Sequence, residues 1–387
     1  MRQLGRRQVL RGLGGTAAGL AAVAAAGCGR VNAASATARR APGTLIWRVK
    51  DGPANTSGFG GQSVLAAGRM VCVAGTPLAD GDCLTCVFDA ATGKLAWRIA
   101  GSAGPLLTAG PGAVFGFQMT ADQNGTEVVA FSADTGGRLW THHVGEFLDS
   151  AGDDGWAGYA DGTVYIAGSR NPVETTSQTF VGALDARTGR RLWGVTLTGM
   201  LQYPALSDGI VYASTASRVV ALNAVTGTRL WESADVGANT GYLWVANRVV
   251  YGYLLTGIHG TVPFALDAAT GKRLEHGFGS PVSAGGLCFI VQIGGQDGAI
   301  EARHVGSGTL AWKHTIPDGV GSLPVANGTI LYVGDDGHGM LYALYAATGS
   351  TAWTYRLSAS IAGMAVSNGI LYAADINGNV CALQTWR

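Results

Sequence analysis

The chain has 387 residues, with Gly at 61 positions and charged residues at 13%, about half the usual share of roughly 25%. A hydrophobic content of 47% with a formal net charge of +1 excludes intrinsic disorder, because such a chain can bury enough apolar surface to offset its ordering entropy. The glycines follow no three-residue period and Pro occurs only 11 times, which excludes collagen. Lys+Arg 26 against Asp+Glu 25 leaves no excess to neutralise phosphates, so nucleic acid is not an expected partner.

In chain order, the first element is an address. Arg2, Arg6, Arg7 and Arg11 precede an Ala/Gly-rich apolar run from Leu13 to Gly27, and no acid interrupts them. A positive segment followed by a short apolar one is the layout of an export signal, placed here over residues 1–27. The stretch from Gly5 to Arg11 resembles the twin-arginine motif, with Val9 where Phe is usual, which implies that Arg6 and Arg7 carry the signal. Ala25-Ala26-Gly27-Cys28 resembles a bacterial lipobox, with Ala25 in place of the preferred Leu. That resemblance implies that Cys28 becomes the lipid-bearing first residue, whereas cleavage after Ala34 or Ala36 would release a soluble protein. Cleavage at Cys28 removes four Arg and no acid, so membrane attachment would rest on the lipid and not on a basic tether. Residues 28–43, rich in Ala, Ser, Thr and Arg, read as an anchored flexible linker.

From residue 44 onward the chain repeats itself. The unit Ala-x-Thr-Gly-x-x-x-Trp recurs at Ala90 to Trp97, Ala133 to Trp140, Ala186 to Trp193, Ala224 to Trp231 and Ala346 to Trp353. Two copies are degenerate: Ala268 to Glu275 ends without Trp, and Val305 to Trp312 begins without Ala. The runs around each unit, such as Gly209 to Ser214 and Arg218 to Leu222, are short, β-branched and punctuated by Gly, Asn and Asp, which is strand and hairpin language. The Thr-Gly pair falls between two runs, where glycine takes the positive φ of a tight turn. Each repeat then holds four strands, the outermost carrying Trp.

Such a unit cannot bury both faces alone, and the closed radial solution is a β-propeller. The C-terminal run Cys381 to Arg387 stops at the third strand of a repeat, while Thr44-Leu45-Ile46-Trp47 supplies an orphan Trp strand. The two fragments complete one blade, so the sequence predicts an all-β, eight-bladed propeller over 44–387, of four-stranded antiparallel blades, closed by an N-terminal strand in the last blade.

At these residues the chain resembles the quinoprotein-like propeller repeat of pyrroloquinoline-quinone dehydrogenases, and it is also similar to the eight-bladed lipoproteins of outer-membrane protein assembly. The resemblance implies that Trp47, Trp97, Trp140, Trp193, Trp231, Trp312 and Trp353 dock between neighbouring blades. A quinone dehydrogenase of that family would carry adjacent cysteines and acid and amide ligands for calcium. No two Cys are adjacent here, and no calcium set can be assigned by motif.

Other chemistry is sparse. Cys83-Leu84-Thr85-Cys86 lacks a second ligand pair, and Val87 stands where a haem-attachment His would be. Cys72 on the preceding strand makes a cross-strand disulfide to Cys83 or Cys86 plausible in an oxidising compartment, and Cys288 and Cys381 read as buried thiols. Asp153-Asp154-Gly155 and Asp335-Asp336-Gly337-His338 offer cation ligands but read first as turns, and no metal site is assigned. His142 and His143, adjacent on an outer strand, point to opposite faces. Propellers bind ligands at a channel mouth, on loops entering the inner strands. The residues there are Asp153, Asp154, Trp156, Tyr159, Gln202, Tyr203 and Tyr242, suited to a protein, peptide or carbohydrate and equally readable as inner-strand packing. The insertion from Ser169 to Gln178 is a second candidate. The expectation is a non-catalytic binding or assembly platform, exported and lipid-anchored, with no cofactor. The alternative is a small quinoprotein-like oxidoreductase holding pyrroloquinoline quinone with calcium in the channel, and a third option is a ligand sensor acting through another membrane protein.

Overall fold

A computed structural model describes residues 40–385 apart from 51, 53–63, 76–82, 102, 121–124, 146–155, 171–177, 200–203, 216, 238–239, 256–260, 276–281 and 293–297. The described residues form eight antiparallel sheets in chain order, spanning 64–101, 103–145, 156–198, 205–232, 240–267, 283–316, 325–356 and 361–384, here called blades 1 to 8. In blade 8 the fourth strand is Leu45–Val49, which pairs antiparallel with Val380–Gln384, so the two ends of the fold share one sheet. Seven blades have four strands and blade 5 has three. There the outer strand is reduced, among the described residues, to a bridge between Leu266 and Arg273 and one hydrogen bond from Leu274 N to Ala265 O. Glu275 stands in the Trp slot, and a charged residue gives that strand nothing to bury.

Second and third strands are buried on both faces, as in Ile330–Gly334 and Val219–Asn223, because a neighbouring sheet covers each side. Their near-continuous apolar runs follow from that. Outer strands, such as Arg191–Thr198, alternate instead between exposed and covered residues. Among the described residues the core accordingly divides into eight hydrophobic clusters, one at each seam between consecutive blades.

All the seams but the one between blades 5 and 6 are built around an outer-strand Trp. The indole Nε1 of Trp47, Trp97, Trp140, Trp193, Trp231 and Trp312 donates to the carbonyl of Ala90, Ala133, Ala186, Ala224, Ala268 and Ala346 in the next blade, at 2.8–3.0 Å. The ring lies over the turn glycine of the same unit: a Cβ at Gly93, where φ is +71°, would sit 2.6 Å from the Trp47 ring. Glycine is required there twice, for the left-handed backbone and for the approach of the indole. Trp353 completes the ring by lying over Gly43, at φ +80°, whose N–H donates to Gln384 O.

Each Trp is aimed by a β-bulge. Trp193 pairs with Ala183 but Arg191 with Leu184, leaving Leu192 as the extra residue, and the same shift leaves Ile46, Ala96, Leu139, Leu230, Ala311 and Ala352 unpaired in their strands. Inserting one residue turns the next side chain toward a new direction. Most of these Trp rings also pack on an aromatic from the second strand of their own blade, as Trp47 does on Tyr372 and Trp312 on Phe289, with centroids 6.0 and 5.7 Å apart.

Candidate functional site

Antiparallel topology sorts the connections onto two faces. The Thr-Gly turns share one face with the hairpins between first and second strands. The opposite face carries the connections between second and third strands and those from one blade to the next. Of the residues expected at a channel mouth, Trp156 and Tyr159 belong to the inner strand Trp156–Ala160. Trp156 is buried in the seam between blades 3 and 4. Tyr159 packs in the seam between blades 2 and 3, stacked on Phe115 with centroids 6.2 Å apart. Its hydroxyl accepts from Gly162 N. Tyr242 lies on the strand Thr240–Ala246, with its side chain outside the described residues, as are Asp153, Asp154, Gln202 and Tyr203. Most of the insertion from Ser169 to Gln178 also lies outside them.

The described thiols have the character of core residues. Cys72, Cys86, Cys288 and Cys381 are buried. Cys72 packs in the seam between blades 1 and 2 and Cys86 in that between blades 8 and 1, on opposite faces of one sheet, so no bridge joins these two. The side chain of Cys83 lies outside the described residues. Burial pushes the Cys72 thiol up to about 12 and that of Cys381 up to about 12, which keeps both protonated and unreactive. All four sit on second or third strands. None is on an inner strand facing the channel, so these thiols do not fit a cysteine ring over a channel-bound quinone.

The face opposite the Thr-Gly turns holds the polar chemistry of blades 7 and 8. Asp375 accepts Asn379 Nδ2 at 2.9 Å on each carboxylate oxygen and Ser358 Oγ at 2.8 Å. The backbone N–H groups of Asn377, Asn379 and Ser358 add to these at 2.9–3.1 Å. Burial works to raise the Asp375 carboxyl, but these hydrogen bonds outweigh it and hold the group below the usual carboxylate range. In blade 7 Asp335 accepts Met340 N at 2.9 Å and His338 N at 3.3 Å. Here burial wins and the Asp335 carboxyl is pushed up. His338 Nδ1 lies 2.6 Å from Asp318 Oδ2 on the connection from blade 6. Sequence reasoning had Asp335 and His338 in one turn but not Asp318, which is remote in sequence and is brought in by blade-to-blade packing.

The model of the family described as outer membrane protein assembly factor BamB matches residues 9–145, 124–281 and 296–385. No curated protein matches the chain in sequence. Among solved structures, BamB from Moraxella catarrhalis is 19% identical, with a TM-score of 0.54 over 80% of this chain and 95% of that one. A quinohemoprotein alcohol dehydrogenase from Pseudomonas putida is 12% identical, with a TM-score of 0.59 over 88% and 76%. Sqt1 from Saccharomyces cerevisiae is 14% identical, with a TM-score of 0.61 over 90% and 100%. At these identities the structural likeness speaks for the fold alone.

Proposed function

This chain belongs to the family of the outer membrane protein assembly factor BamB, and we propose that it is an exported, lipid-anchored propeller serving as a non-catalytic platform that binds protein partners outside the cytoplasmic membrane. The family match, which spans nearly all of the closed ring, carries this reading. The proposed division is a signal over residues 1–27 with Arg6 and Arg7 as its core, an anchored linker over 28–43 and the propeller over 44–387. The chain enters the ring at Gly43, on the face of the Thr-Gly turns. A lipid on Cys28 would therefore hold that face toward the membrane and leave the opposite loops outward.

Two experiments test the proposal. Labelled fatty acid should enter the wild-type chain and not Cys28→Ala, and equal labelling of the two would overturn the anchor. The purified chain should retain an envelope protein in stoichiometric amount from detergent extracts, and retention should disappear when residues 40–49 are deleted and the ring is unsealed. Retention unaffected by that deletion would overturn the platform.

A quinone-dependent oxidoreductase is the second reading, favoured by the likeness to quinohemoprotein alcohol dehydrogenase. The described cysteines weigh against it, since none is placed to cover a cofactor. Reconstitution with pyrroloquinoline quinone and calcium should give neither bound quinone absorbance nor dye reduction, and either signal would move the assignment to that class.

A further inference from the structure

Three carboxylates are buried among the described residues: Glu301, Asp335 and Asp375. Two are answered by side chains. Glu301 receives Arg303 Nη2 at 2.7 Å and Nε at 2.9 Å, with Lys313 at 3.6 Å. Asp375 receives Asn379 and Ser358. Asp335, only 1% exposed, accepts its hydrogen bonds, among the described residues, from backbone N–H groups. An ionised carboxylate has about four acceptor sites, and leaving a buried one short of donors is costly.

Blade 8 shows what Asp335 lacks. Its loop Asp375-Ile376-Asn377-Gly378-Asn379 and the blade 7 loop Asp335-Asp336-Gly337-His338-Gly339 come after equivalent strands. They make equivalent backbone bonds, Ile376 N to Ser360 O and Asp336 N to Gly319 O. In that alignment the donor Asn379 is replaced by Gly339 and the donor Ser358 by Pro317. In exchange, Gly378 becomes His338 and Ala359 becomes Asp318. Blade 7 has thus lost both side-chain donors and gained an imidazole and a second carboxylate. One ligand atom each from Asp318, Asp335 and His338 lies within 4.8 Å of the others. The connection that bears Asp318 also carries Ser322, buried and with a hydroxyl that has no partner among the described residues.

We propose that Asp318, Asp335 and His338 form a binding site for one divalent cation of the zinc class. The sequence had assigned no metal ligand, because an Asp-Asp-Gly run reads first as a turn. An imidazole nitrogen with two carboxylate oxygens suits zinc, cobalt or manganese, whereas calcium and magnesium favour all-oxygen sets. A cation at this point would replace the 2.6 Å His338–Asp318 hydrogen bond and add a positive charge beside Asp335, whose hydrogen bonds among the described residues come from backbone N–H groups. His338 and Asp318 have side chains 60% and 45% exposed, so the ion has a route in and coordination positions left for water or an anionic group of a partner.

Titration of the full chain with zinc by calorimetry, and with cobalt by visible absorption, tests the site. One equivalent should bind, and Asp318→Asn and His338→Ala should each weaken it about tenfold or more, the size of change that losing a coordinating or orienting group produces. Asp336→Asn, one residue from Asp335 and outside the set, should bind like wild type, and circular dichroism should show all variants folded. Absence of binding at millimolar zinc would overturn the proposal. So would affinity unchanged in both ligand variants, loss confined to His142→Ala or His143→Ala, or displacement of zinc by equimolar calcium.

Discussion

The seam between blades 8 and 1 and that between blades 5 and 6 solve the same packing problem with different residues. The first buries twelve residues in its cluster, with Trp47 of the outer strand lying over Gly93 and donating to Ala90 O. The second buries four among the described residues. Glu275 holds the Trp slot, and Trp244 comes instead from the inner strand, stacked on Tyr251 with centroids 5.8 Å apart and tilted on Tyr253 at 5.0 Å. The second-strand aromatic is kept while the indole moves three strands inward. Trp244 fills space but its Nε1 finds no acceptor among the described residues. The apolar payload is what a seam requires, and the hydrogen bond is what six of the repeat Trp residues add to it.

Four measurements break or sharpen this contrast. Truncation comes first: Trp47→Ala should cost about 3–5 kcal/mol in chemical denaturation, because it hollows the seam that closes the ring, and an unchanged midpoint would remove the wedge from the account. Gly93→Ala should cost about 2–4 kcal/mol, combining a left-handed backbone with a ring 2.6 Å from the new methyl. Gly68→Ala, at φ +59° with nothing within 4 Å, should cost only about 1–2 kcal/mol. Equal losses would mean that the indole contact adds nothing. Trp47→Phe should lose about 1 kcal/mol more than Trp244→Phe, the difference being one satisfied N–H.

The fourth and smallest effect is acid-dependent. The folded-state pKa of Asp375 lies below the ordinary carboxylate value of 3.8. The stabilisation it gives is therefore present above the unfolded value and is lost as the pH falls through the folded one. Asp375→Asn should flatten the acid limb of the stability profile below about pH 4 and lower stability at pH 7. A profile parallel to wild type would contradict the hydrogen-bonded carboxylate.

The ring was legible because its signals are local and repeated. Seven turn units and two complementary end fragments fix blade number and closure, and Leu45–Val49 pairs with Val380–Gln384 accordingly. The bulge before each Trp was not legible, since one extra residue in a hairpin leaves no mark on composition. Blade 5 departed from four strands at the copy whose Trp is Glu275, so the degenerate unit was itself the warning. Site residues were harder to read. Trp156 and Tyr159 are aromatic and near the channel in sequence order, yet they pack in seams, and aromatic type alone does not separate packing from recognition. Asp318 could have been found only by laying the blade 7 and blade 8 loops side by side and noticing which donors had been exchanged for which ligands.

Closure by the N-terminal strand also sets an order of events during synthesis. Leu45–Val49 is made before any of the blades and its hydrogen-bonding partner, Val380–Gln384, after all the other strands of the ring. Throughout elongation the early strand is an unsatisfied edge, and the largest loop in the molecule must be drawn shut last. Until Val380–Gln384 leaves the ribosome, the nascent arc offers its open flank to any other extended segment, including the same flank of a second growing copy.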